Sequence, residues 1–223
     1  MALNKSKGNM YPWITHTWNP IKGRCPHQCT YCYMRHKPVG ELRLDGKALN
    51  DDLGSDRTIF VGSSTDMWAD EVPRIWINEV MMRIVENSGN HYVFQTKNPY
   101  GFTGWVHEGD YVLGVTLESN RDYEISQAPC IAVRVSDLRH LCGHCLGKPQ
   151  IFISIEPILD FDINTLIEII THISPDFVTI GADSKKTRLP EPSPEKIHDL
   201  VTTLQTFMDV RLKPNLKRLY QWG

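Results

Sequence analysis

YVLGVTLES, residues 111–119, is apolar almost from end to end and then turns polar at Glu118 and Ser119. It does not alternate apolar with polar, so it reads as a strand buried on both faces. Four other runs share this form: TIFVGSS (58–64), HYVFQTK (91–97), QIFISIEP (150–157) and DFVTIGAD (176–183). A weaker, earlier strand is expected within WITHTWNPI (13–21).

Helical patterns separate these runs. Pro73 opens one, with Ile77, Val80, Met81, Ile84 and Val85 on a single stripe. A second carries Ile163, Leu166, Ile167, Ile170 and Ile173. A third has Ser193 as N-cap and Pro194 in its first turn, then Ile197, Leu200, Val201, Leu204 and Met208. Residues around 136–146 form a weaker candidate, because Gly143 interrupts them.

Strand and helix in alternation predict an α/β fold with a parallel sheet and right-handed crossovers. Six units are too few to close an eight-stranded barrel and fit a partial, TIM-like (β/α)6 barrel in one domain spanning residues 1–223. Such sheets bind ligands at the carboxyl ends of their strands. That rule selects Ser63, Ser64, Asp66, Gln95, Thr96, Lys97, Glu118, Asn120, Glu156 and Asp183.

The 223 residues are 41% hydrophobic and 22% charged, enough apolar material for a real core. The formal net charge of −2 gives no general support to a polyanion-binding surface. The first eighteen residues contain no long apolar run, so neither a secretory signal nor a membrane anchor is expected there. The expected location is the reducing cytoplasm, where cysteines more often bind metal or do chemistry than form disulfides.

Three of the six cysteines lie in RCPHQCTYCYMR (24–35), directly after the first strand. Cys25, Cys29 and Cys32 have the spacing C-x3-C-x2-C. Three thiolates can hold three irons of a [4Fe–4S] cube and leave the fourth iron open. The alternative is a structural zinc site with His27 or His36 as fourth ligand, although such sites usually pair two C-x-x-C units. A disulfide would leave one of the three cysteines over.

The cysteine spacing, with the aromatic Tyr31 before the third cysteine, resembles the radical S-adenosylmethionine (AdoMet) superfamily. HTWNPIKGRCPHQCTYCYMR (16–35) is similar to the signature of a phage and bacterial radical-SAM-like family, TWNP followed by CxxxCxxCY. STDMWADEVP (64–73), FQTKNP (94–99), GVTLESN (114–120), ISIEPILD (153–160) and YQWG (220–223) extend that resemblance across nearly the whole chain. The spore photoproduct lyase group, which repairs a thymine dimer in DNA, carries a similar cysteine pattern.

The resemblance implies a radical enzyme. Its [4Fe–4S] cluster, on Cys25, Cys29 and Cys32, would chelate AdoMet through the open iron. An electron from flavodoxin or ferredoxin would release a 5′-deoxyadenosyl radical that abstracts hydrogen from a substrate. The implied substrate is a nucleobase or nucleotide, in DNA hypermodification or repair. A peptide or free small molecule is the rival substrate, and a zinc-stabilised binding module is the rival outside enzymes. Tyr31 is expected near the adenine. Many radical enzymes hold the methionine amino group with GGE after the second strand; here VGSSTD (61–66) puts Ser63, Ser64 or Asp66 in that place. GADSKK (181–186) leaves Asp183 where a glutamate is usual.

Other residues have two readings each. The resemblance implies ribose hydroxyls at Glu118 and Asn120, after the fourth strand, which a carboxylate suits by accepting two hydrogen bonds from a diol; the other reading is a solvated loop. Lys97, with Thr96 beside it, suits a carboxylate or phosphate, or is simply exposed. Glu156 either touches ligand or forms an internal salt bridge. Cys142 and Cys145 form a second C-x-x-C, with Cys130 and two histidines near; an auxiliary cluster or zinc competes with buried thiols on a helix. Trp18 and Trp68 adjoin the motifs and could stack bases or fill the core. The basic runs 185–188 and 211–218 could meet phosphate or solvent.

Overall fold

In the computed structural model of the protein, residues 3–105, 111–144, 149–185 and 187–221 are described, with 142–144 described by backbone alone. The chain opens with β1 (Leu3–Lys5), antiparallel to β2 (His16–Trp18). A small hairpin follows, β3 (Ile21–Lys22) with β4 (Arg43–Leu44), and its long connection contains the three cysteines. The short α1 (Gly46–Leu49) is capped by Asp45, whose carboxylate accepts from the Lys47 and Ala48 amides. Beyond it come β5 (Thr58–Val61), α2 (Arg74–Glu86), β6 (His91–Thr96) and β7 (Tyr111–Thr116). The remaining elements are α3 (Ile131–His144), β8 (Gln150–Ile155), α4 (Ile163–Ile173), β9 (Phe177–Ile180), α5 (Pro194–Gln205) and β10 (Asp209–Leu212).

One sheet runs in the order β1-β2-β5-β6-β7-β8-β9-β10, and every pair after the first is parallel. It does not close, since β1 and β10 are its two ends. The partial barrel read from the sequence is therefore present, with two corrections. A seventh parallel strand, β10, extends the expected six. No α-helix is described between β6 and β7; that connection carries a 3-10 turn at Pro99–Phe102.

The two faces of the sheet bury different things. Ile59, Val61, Phe94, Leu113, Val115, Ile151, Ile153, Ile155, Val178 and Ile180 pack in one cluster with the helices. Phe60, Val93, Phe152 and Phe177 face the other way, and the N-terminal segment covers them with Tyr11, Trp13 and Ile14. Phe152 stacks on Phe177 with centroids 5.0 Å apart, and Tyr11 stacks on Trp13 at 5.4 Å. Burying a ring of this size stabilises by about 1.5–3 kcal/mol. Gly114 makes the packing fit, because a Cβ there would lie 2.2 Å from the Phe152 ring.

The helices follow their apolar stripes. On α2, Ile77, Val80, Met81 and Ile84 are buried as expected, but Val85 points outward and is 66% exposed. A stripe about 100° wide has room for four such residues on this helix and not for Val85. Ser193 caps α5 by accepting from the Lys196 amide, with Pro194 in the first turn. No helix among the described residues is long and apolar enough to cross a membrane.

Candidate active site

The cysteine loop sits at the carboxyl end of the parallel strands. Backbone bonds fix it there, from the Thr30 amide to the Ile125 carbonyl (2.9 Å) and from the Gln127 amide to the His27 carbonyl (2.7 Å). The Thr65 hydroxyl donates to the Gly23 carbonyl (2.9 Å). Gly23 takes a φ of +112°, and a side chain there would strike the Glu41 carbonyl.

Cys29 is buried, and Cys25 and Cys32 are half-buried. Burial pushes the Cys25 thiol up to about 12, and the nearby Asp66 charge adds to the rise. Burial also raises Cys29, opposed by the charge of Lys97. The Met34 amide donates to Cys32 Sγ at 3.4 Å. Such N–H···S bonds are a means by which proteins support and tune iron–sulfur ligands. Soft sulfur donors in a largely buried loop fit a cationic cluster. Among the described residues, no three His, Cys, Asp or Glu side chains are gathered around a point that could hold a single metal ion.

His27, weighed above as a zinc ligand, turns away from the thiols and bonds Asp66 Oδ2 through Nε2 at 2.9 Å. Asp66 is a hub: its carboxylate also accepts from Thr96 Oγ1 (2.8 Å), the Lys97 amide (2.9 Å) and the Trp68 amide (3.0 Å). Burial alone would raise the Asp66 carboxyl, but the His27 bond and these amides hold it below its ordinary value. Asp66 and Thr96 thus pin the loop after β5 to the end of β6.

Ser63 and Ser64 differ from Asp66. Both hydroxyls donate to Asn19 Oδ1, at 3.1 and 3.0 Å, as does the Ser64 amide at 2.9 Å. A hydroxyl whose proton is so engaged keeps its lone pairs as acceptors.

Across the mouth lies a buried charged group. Glu118 is paired with Lys97 through Oε1 and with Arg134 through Oε2, the latter at 2.8 Å. Tyr31 donates its hydroxyl to Glu118, and the Lys97 ammonium stands 4.8 Å from the Tyr31 ring centroid. Burial would raise Glu118, but the two cations outweigh it and hold the carboxyl down at about 2. Neither bland reading holds: Glu118 is not a solvated loop residue, and Lys97 is not exposed. Arg134, which the sequence reading did not single out, anchors this group from α3 and also donates to the Pro129 carbonyl (2.6 Å). Its signal was a charge on the apolar stripe of Ile131, Val135 and Leu138.

Other candidates have internal tasks. Glu156 takes the salt-bridge reading: its carboxylate accepts from Lys213 Nζ (2.7 Å), Asn9 (2.8 Å) and Asn215 (3.0 Å). Asn120 accepts from the Asp162 amide at 2.8 Å and so braces the start of α4. Asp183 accepts from the Lys185 amide at 2.8 Å and from Thr187 Oγ1 at 2.6 Å, closing its own turn. Of the basic run 211–218, Arg211 pairs with Asp209, Lys213 with Glu156 and Arg218 with Glu191. Trp18 and Trp68 are fully buried core residues, Trp18 donating to the Ala48 carbonyl at 2.9 Å.

The auxiliary metal set does not assemble as expected. Cys130 precedes α3 and Cys142 lies in its last turn, about 18 Å along the axis, so one ion cannot bind both. Cys130 is an exposed free thiol. The side chain of Cys142, and all of Cys145, lie outside the described residues.

No protein-family model and no curated protein sequence matches the chain. Solved structures do. A spore photoproduct lyase variant with bound AdoMet and dinucleoside spore photoproduct superposes with a TM-score of 0.65 at 11% identity, over 92% of this chain and 78% of that one. A second, holding the dinucleoside spore photoproduct, gives 0.64 at 11% identity, over 96% and 79%. Native anSMEcpe with bound AdoMet and the Cp18Cys peptide gives 0.57 at 10% identity, over 87% of this chain and 61% of that one. The chain shares the fold of these proteins, a partial barrel as expected from its sequence.

Proposed function

We propose that the protein is a radical AdoMet enzyme acting on a nucleobase or nucleotide, in DNA modification or repair. The observation that carries this reading is the placement of Cys25, Cys29 and Cys32, half-buried or buried in a loop at the carboxyl end of the parallel sheet. When bound there, a [4Fe–4S] cluster with one open iron supplies one-electron reductive cleavage of AdoMet to a 5′-deoxyadenosyl radical.

The chain's own residues bind and orient. Cys25, Cys29 and Cys32 hold the cluster, with the Met34 amide on Cys32 as support. Ser63 and Ser64 offer hydroxyl lone pairs to the methionine ammonium, because their O–H groups donate to Asn19. Lys97 supplies a cation for the methionine carboxylate, and Glu118 an ionised acceptor for the ribose hydroxyls. Tyr31, whose hydroxyl donates to Glu118, would pack beside the adenine. Asp66, Thr96 and Arg134, through their bonds to His27, Lys97 and Glu118, hold the neighbouring groups in position. A flavodoxin or ferredoxin in the cytoplasm supplies the electron.

The test is product analysis under anaerobic conditions. Dithionite-reduced protein with AdoMet is expected to yield 5′-deoxyadenosine and methionine. Deuterium is expected to pass from one labelled nucleoside or nucleotide into 5′-deoxyadenosine. Reconstituted protein that leaves AdoMet intact contradicts the radical reading. Deuterium arriving from peptides alone contradicts the nucleotide part.

A further inference from the structure

The cysteine loop carries cations that have no ion-pair partner among the described residues. Between residues 23 and 40 stand Arg24, Arg35, His36 and Lys37, with no Asp or Glu among them. Arg24, Arg35 and Lys37 are exposed, and their side chains make no hydrogen bond or ion pair with the described residues. The basic run 211–218 contrasts with this, since Arg211, Lys213 and Arg218 are all engaged with carboxylates. Arg24, Arg35 and Lys37 thus put three cations without a carboxylate partner among the described residues on the segment that bears the thiols.

The same loop presents an aromatic ring. Tyr33 is 51% exposed although its hydroxyl donates to the Ser63 carbonyl at 2.7 Å. A side chain tethered at its tip and open on its face is a stacking platform whose rotamer is already fixed. The loop backbone is bonded at Thr30, His27 and Gly23 to the loops that follow β7 and β5, so the cations and the ring project from a fixed frame.

Resting on the proposed function, we infer that this loop is the docking surface for a single DNA strand. The strand's phosphates would lie along Arg24, Arg35 and Lys37, and an unpaired base would stack on Tyr33. Phosphate recognition needs cations that are free to give up counterions. Stacking needs a base that is not paired, which favours a single or locally opened strand over intact duplex. An acidic peptide would meet the same charges but has no planar face to offer Tyr33.

The test uses anaerobically purified, cluster-loaded protein and a fluorescein-labelled oligothymidylate about ten nucleotides long, read by anisotropy. Binding is expected to weaken with salt, with a log–log slope of about −2 for three phosphate contacts on a single strand. The triple variant Arg24→Gln, Arg35→Gln, Lys37→Gln is expected to flatten that slope towards zero, and Tyr33→Ala to weaken binding at every salt concentration. Melting temperature and iron content are recorded for each variant; if the triple loses iron, the pair Arg35→Gln, Lys37→Gln carries the test. Unchanged binding by these variants overturns the inference, as does absence of wild-type binding at low salt. Tighter binding of duplex, or equal competition by an acidic peptide, overturns it as well. Cleavage of AdoMet by the wild-type protein, measured in parallel, tests the radical reading separately.

Discussion

Arg134 reaches from α3 to Glu118 at the end of β7, Nη1 to Oε2 at 2.8 Å, and both side chains are almost wholly buried. With Lys97 on the other oxygen, the pair forms a charged group inside the mouth of the sheet. Breaking a buried pair from one side is costly because the partner's charge stays behind.

Glu118→Gln should therefore destabilise the protein by about 3–5 kcal/mol, read from urea unfolding at neutral pH. The pH dependence follows from the depressed carboxyl. A group held at about 2 contributes its full stability above its ordinary value of 4.5 and loses it as pH falls through that range. The gap between wild type and Glu118→Gln should narrow as pH drops from 4.5 towards 2. A gap that is constant with pH would show that Glu118 is not held as an ion in the fold.

Gly114→Ala should be destabilising despite being on a strand, where Ala is normally the better residue. Its Cβ would enter the Phe152 ring at 2.2 Å. Overpacking of this kind costs about 1–3 kcal/mol. Phe152→Leu in the same chain should recover part of the loss, measured as a double-mutant cycle in thermal or urea unfolding. Additive effects would mean that the two residues do not meet.

Tyr11→Phe removes a hydroxyl that donates to Gln95 Oε1 at 2.8 Å and bonds Ser154 Oγ at 3.0 Å. It leaves polar partners without a mate inside the sheet, at a cost of about 1–3 kcal/mol. Val85→Lys, on the exposed side of α2, should change stability by less than about 0.5 kcal/mol. The same unfolding assay checks both, and a neutral Tyr11→Phe would contradict the N-terminal segment's place on the sheet.

These residues also mark what could be read from the chain alone. β5 to β9 were legible because their runs are apolar on both faces, and the cysteine loop because its spacing is local. β10 was not, since Asp209, Val210, Arg211 and Leu212 alternate as an outer strand does and their charges hid it. The covering role of Tyr11 and Trp13 depends on contacts with Phe152 and Phe177, some 140 or more residues away, which no local pattern reports. At the site, Glu118 and Lys97 were found by their strand-end positions, but their pairing was not, because it needs the register of β6 against β7. Asp66 and Glu156 were found by the same positional rule, but their internal partners, His27 and Lys213, lie too far off in sequence for a local pattern to report.

The most direct measurement is low-temperature electron paramagnetic resonance of dithionite-reduced, anaerobically purified protein, recorded with and without AdoMet. The account predicts a [4Fe–4S]⁺ signal that changes on adding AdoMet and is absent from Cys29→Ala. A signal indifferent to AdoMet, or iron-free protein holding a single zinc on Cys25, Cys29 and Cys32, would contradict it.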